Sequence, residues 1–141
     1  MEESEIVLSI QQATRELNLP HEGIAQLDEE ASARIVSQVK EAFVEGHPRV
    51  WWLSLKYPAK TKEYAEGNAH LHLREHIPFS DKKCWFIPET EQQSLPVFDM
   101  RIEYLSALLS EISFFEYYLV GKRLNWLVIE TDHNSIVSVA V

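Results

Sequence analysis

The sequence predicts an α+β domain: a mainly antiparallel sheet, an N-terminal helical hairpin, and one further helix before a C-terminal three-stranded meander. Three observations carry that expectation. Residues 114–141 hold three β-rich runs, Phe-Phe-Glu-Tyr-Tyr-Leu-Val, Asn-Trp-Leu-Val-Ile-Glu and Ser-Ile-Val-Ser-Val-Ala-Val. Only residues 121–124 and 131–134 separate them, a spacing that suits antiparallel neighbours. Residues 4–45 instead repeat apolar side chains at helical spacing. The length of 141 residues suits one domain, 1–141, large enough to bury a core without staples.

The elements follow in order. Over residues 4–17, Ser4 is a good cap, and Ile6, Ile10, Ala13 and Leu17 fall on one helical face before Leu19-Pro20 ends the run. Residues 28–45 form the second expected helix, capped by Asp28, with Glu29 and Glu30 in the first turn. Its stripe is Ala31, Ile35, Val39, Ala42 and Phe43, and Gly46-His47-Pro48 stops it. Residues 50–57 alternate Trp51, Leu53, Leu55 and Tyr57 against Val50, Trp52, Ser54 and Lys56, and read as a strand. The polar, Lys-rich residues 59–68 read as an exposed loop.

Residues 69–74 alternate again, with His70, His72 and Arg74 on one side, and residues 84–87 form a short apolar strand closed by Pro88. A third helix is expected over residues 99–112 from the stripe Phe98, Ile102, Leu105, Leu108, Leu109 and Ile112. The expected order is α-α-β-β-β-α-β-β-β, with helices on one sheet face.

Charge narrows the partners. Residues 1–46 carry three Lys/Arg against ten Asp/Glu, residues 47–85 seven against four, and residues 86–141 three against eight. A total of −9 argues against nucleic acid and for faster encounter with a basic protein. No apolar run approaches the roughly 20 residues of a membrane span, the acidic start is unlike a secretory leader, and Cys84 is the only cysteine. A cytoplasmic protein with no membrane association is the expectation.

Few residues suggest chemistry. His70 and His72 on one strand face, joined by His76 or Cys84, have a spacing that can hold a metal, although Arg74 on that face would repel one. Glu116, Glu130, Asp132 and His133 are the candidates for acid–base work, although Asp132-His133-Asn134-Ser135 is also ordinary turn chemistry. Cys84 follows Lys82-Lys83 but precedes Trp-Phe-Ile, which favours a buried, inert thiol. The four glycines are too scattered for a phosphate loop, and no hydrolase, metalloprotease or paired-cysteine motif occurs. No catalytic, metal or cofactor residue is therefore assigned.

The aromatics point to binding. Trp51 and Trp52 cannot share a strand face, and Phe114, Phe115, Tyr117, Tyr118 and Trp126 raise the same problem in the meander. The segments Ser113-Phe-Phe-Glu-Tyr-Tyr-Leu-Val and Asn125-Trp-Leu-Val-Ile-Glu-Thr-Asp-His-Asn-Ser resemble the C-terminal part of a group of small, uncharacterised bacterial proteins. Those are similar to the immunity proteins that accompany polymorphic toxins. The resemblance covers the last third of the chain, reaching back to Trp85-Phe-Ile-Pro-Glu, and carries over no functional residue.

The reading is a non-catalytic, immunity-type protein that blocks a basic protein partner through Trp52, Tyr118, Glu130 and Asp132. Its alternative is a small metal-dependent or acid–base enzyme using His70, His72 and His76 or the Glu130–His133 turn. A homodimer paired through an open sheet face or the terminal strand is a third expectation.

Overall fold

The structure is a computed structural model that describes residues 4–90 and 94–141; the acidic start Met1–Glu3 lies outside them. Helix α1 spans Glu5–Glu16 and opens as expected, with Ser4 Oγ accepting the Val7 N–H at 3.2 Å. It closes on Asn18 at φ 53°, with Asn18 N–H donating to the Arg15 carbonyl and Leu19 N–H to that of Thr14. Helix α2 spans Glu29–Phe43 and is capped by Asp28, whose carboxylate accepts the Ala31 N–H at 2.7 Å.

Between the helices lies strand β1, Ile24–Gln26. Four of the remaining strands are β2 Lys60–Glu63, β3 Lys83–Pro88, β4 Phe98–Arg101 and β5 Tyr117–Gly121. The last two are β6 Trp126–Glu130 and β7 Ser135–Ala140. They form one antiparallel sheet of seven strands in the order β1-β4-β3-β5-β6-β7-β2. The fold is therefore α+β, and the expected meander is present, its register placing Tyr117 opposite Glu130 and Trp126 opposite Ala140.

The helices do not share one face. α1 buries Val7, Ile10 and Ala13 with Phe86, Leu119 and Val128, whereas α2 buries Val39 and Phe43 with Tyr118, Leu127 and Ile129. Strand β1 explains the split. It pairs with β4 at the sheet edge, so the chain passes from one face to the other around that edge. Ser32 of α2 then accepts the Val97 N–H at 3.3 Å, which fixes the helix to its new side.

Four local expectations are corrected. Residues 50–57 are not a strand: Val50 and Trp51 are sequence neighbours and both buried, which a one-sided strand cannot achieve, and Trp51–Leu53 is a 3-10 turn. Residues 60–63 are β2, an edge strand with every residue exposed, so no apolar alternation marks it. Residues 69–76 form a 3-10 helix that buries Ala69 and Leu73 and is followed by buried Ile77, each four apart, while Leu71 stays 56% exposed. Finally, Phe98 and Met100 alternate inward as β4, so the third helix α3 begins only at Leu105 and ends at Ser110.

The terminal strand is also not an edge, because β2 covers the outer side of β7. Self-pairing through β7 is thereby blocked.

Gly121 ends β5 where a side chain cannot fit. A Cβ there would lie 2.5 Å from Trp126 Nε1 and 2.8 Å from Asn125 Oδ1. The Trp126 ring cannot retreat, being buried and donating Nε1–H to Asp81 Oδ2 at 2.7 Å. Gly121→Ala is expected to lower the unfolding free energy by about 1–3 kcal/mol in urea titrations. An unchanged midpoint would contradict this account of the turn.

Candidate functional site

A cleft of about 590 Å³ opens on the α1 and α3 side of the sheet, where β5 begins and β6 ends. Three chain stretches besides the sheet build it. Tyr64 N–H donates to the Asn134 carbonyl at 2.9 Å, holding the segment after β2 against the β6–β7 turn and bringing Glu66 to the rim. The 3-10 helix supplies His70 and Leu71, the end of α3 supplies Leu109 and Ser110, and the loop after it supplies Phe114.

Glu130 and Tyr117 face each other across the β5–β6 register, and the Tyr117 hydroxyl donates to Glu130 Oε1. Both belong to the lining. Burial raises the Glu130 pKa above the ordinary carboxylate value, while the phenol's hydrogen bond works against that rise. Burial and the adjacent carboxylate together raise the Tyr117 phenol well above its normal range. His70 Nε2 lies 3.0 Å from Ser110 Oγ, and burial lowers its pKa, favouring neutral imidazole. Asp132 and Asn134 complete the polar rim. Among the described residues no lysine or arginine lines the cleft, and Leu71 and Phe114 stand more than half exposed at its mouth.

Two of the four expected contact residues meet here, Glu130 and Asp132. The other two lie on the opposite face. Tyr118 is 0% exposed, stacked on Trp51 at 4.1 Å, with its hydroxyl donating to Glu89 and accepting the Trp51 N–H. A surface role for Tyr118 is thereby excluded. Trp52 is half-buried and donates Nε1–H to Glu116 Oε2 at 3.0 Å. The expected open aromatic face does not exist: Phe115, Tyr117, Tyr118 and Trp126 are all buried, because the sheet is covered on both sides.

The histidines separate because residues 69–76 are helical. His72 Nδ1 pairs with Glu75 Oε2 at 2.6 Å, and His76 Nε2 bonds the Tyr64 hydroxyl at 2.7 Å. Among the described residues, no three His, Cys, Asp or Glu side chains converge as a metal site. Cys84 is fully buried, and that burial pushes its thiol pKa far up, leaving it inert. Glu66, Leu71 and Ser110 were not singled out in the sequence, whereas Phe114 was named among the meander aromatics.

Fold and site together define an antiparallel α+β domain with an acidic, apolar-shouldered cleft beside its central hairpin. The chain belongs to the family of unknown function DUF6756, whose family model matches residues 3–140. No curated protein and no solved structure matches it.

Because the folded pKa of Glu130 is raised, the native state keeps its proton where the unfolded chain has released it. Stability from this group is full below the ordinary value of 4.5 and is lost as pH rises through the raised one. His70 and His76, whose pKa values burial lowers, act in the opposite direction below 6.5. Glu130→Gln is therefore expected to gain stability relative to wild type as pH rises above the ordinary value of 4.5, read from paired urea titrations. A pH-independent difference would refute the assignment.

Proposed function

We propose that the protein is a non-catalytic, immunity-type binding domain that blocks a basic protein partner by receiving a lysine or arginine side chain in this cleft. The observation that carries the reading is the lining itself: Glu66, Glu130 and Asp132 among apolar walls, with no lysine or arginine among the described lining residues. A long cationic side chain fits that combination, laying its methylenes on Leu71 and Phe114 and its charge among the carboxylates. The net charge of −9 adds steering toward a positive surface. Contact through a cleft replaces contact through an open aromatic sheet.

The reading also takes the protein as bacterial and cytoplasmic, in keeping with its one buried cysteine. Among the described residues, no helix is long and apolar enough to cross a membrane.

A second reading rests on one observation. Glu130 is a carboxyl with a raised pKa, hydrogen-bonded by a tyrosine in a cleft, which is also the profile of a general acid in a small acid–base enzyme. The two readings separate by their response to substitution. As a binding site, the cleft should capture a protein encoded beside this gene, with an association rate that falls as salt rises. Asp132→Lys should weaken that complex by about tenfold or more in surface-binding kinetics. Failure to recover any such partner at low salt would overturn the binding reading.

A further inference from the structure

A second cleft, of about 410 Å³, lies at the other end of the seam between the 3-10 helix and α3. The wall between the two clefts includes His70 and Ser110, bonded at 3.0 Å, and Ser106, whose hydroxyl donates to the His70 carbonyl at 3.3 Å. The charge reverses across it. Arg74 from the 3-10 helix, Lys82 from the turn before β3, and Arg101 from the end of β4 line this second cleft. Lys82 and Arg101 sit on anchored backbone: the Lys82 carbonyl accepts the Ile102 N–H at 2.9 Å, and Arg101 N–H donates to the Gly23 carbonyl at 2.7 Å.

Two carboxylates share the lining, and both are already engaged. Asp81 accepts the Trp126 Nε1–H at 2.7 Å and faces Arg123 at 3.9 Å, while Glu103 takes the Arg101 Nε–H at 2.8 Å. The cations keep spare donors. Arg74 gives one terminal nitrogen to the Phe79 carbonyl at 2.6 Å, and its other is buried with no partner among the described residues. Phe79 is the most exposed large apolar side chain described, at 82%. Two cations approach its ring, the Arg74 guanidinium at 5.6 Å and Lys82 Nζ at 5.3 Å from the centroid.

The geometry points to a binding site for a small phosphate-bearing ligand that also carries a flat ring, the chemistry of a mononucleotide. The phosphate takes the free donors of Lys82 and Arg101, and the ring lies on Phe79. Volume agrees, since sites for compounds of that size span roughly 300–1,000 Å³. The protein's acidity does not prevent it, because a small anion responds to charges within a Debye length of roughly 8–10 Å.

The test is calorimetric titration of the full chain with AMP, orthophosphate and adenosine. AMP should bind more tightly than either fragment. Lys82→Glu should weaken both phosphate-bearing ligands by about tenfold or more, and Phe79→Ala should weaken AMP alone by about tenfold. Both side chains are exposed, so unchanged melting temperatures should accompany these losses. No heat from AMP at 10 mM, equal affinity for phosphate and AMP, or unaltered binding by Lys82→Glu would each overturn the site. Neither residue lines the acidic cleft, so capture of a basic partner should be the same in both variants.

Discussion

Every residue of β5 and β6 is buried, and that double burial is the constraint on which the rest of the molecule depends. A strand covered on one face alternates; Tyr-Tyr-Leu-Val-Gly and Trp-Leu-Val-Ile-Glu do not, and each exposed face would cost transfer free energy. The chain must therefore supply two covering layers. It does so by sending α1, α3 and the 3-10 helix to one side, and α2 with the Trp51 turn to the other. The short strand β1 is what makes this affordable in topology, since it carries the chain around the sheet edge between the two helices.

Double burial also explains the acidic chemistry. Tyr117 and Tyr118 are adjacent, so they point to opposite faces, and each hydroxyl needs an acceptor away from water. Glu130 serves the first and Glu89 the second. Both carboxyls have raised pKa values for the same leading reason, desolvation. The difference lies in what surrounds them. Glu130 opens into a cleft, whereas Glu89 lies beside Glu116 under the Trp51–Trp52 turn. The tyrosine pair is thus a structural requirement of the central strand, and among the described residues its Tyr117 half meets a cleft of about 590 Å³.

The legible parts of the sequence were those whose burial is one-sided and periodic. Caps at Ser4 and Asp28 marked α1 and α2, and three β-runs with tight connections marked the meander. The rest was hidden for definable reasons. β2 shows nothing inward, so its Lys-Thr-Lys-Glu has no pattern to find. Ala69, Leu71 and Leu73 alternate, yet Ala69, Leu73 and Ile77 also recur every four residues, and the second pattern is the one the core uses. Glu130, Asp132 and His70 could be singled out as polar residues, but their meeting in one cleft depends on contacts between β2, α3 and the β6–β7 turn, which sequence spacing does not encode. Tyr118 was misplaced because alternation reveals that a second face exists without revealing what covers it.

Charge is sorted along the seam between the 3-10 helix and α3. Residues 47–85 hold the excess of lysine and arginine, and Arg74 and Lys82 from that stretch bring part of it to one end of the seam. Glu66 belongs to the same stretch but is held at the other end by the bond from Tyr64 to Asn134, beside Glu130 and Asp132. The wall between them adds no charge of its own, since burial favours neutral His70 and its partners are serine hydroxyls. Long-range steering of a large partner follows the net charge of the whole chain, while a small ligand responds to the nearest few side chains. On the two proposals, one acidic domain would offer a cationic macromolecule and a small anion separate places to bind.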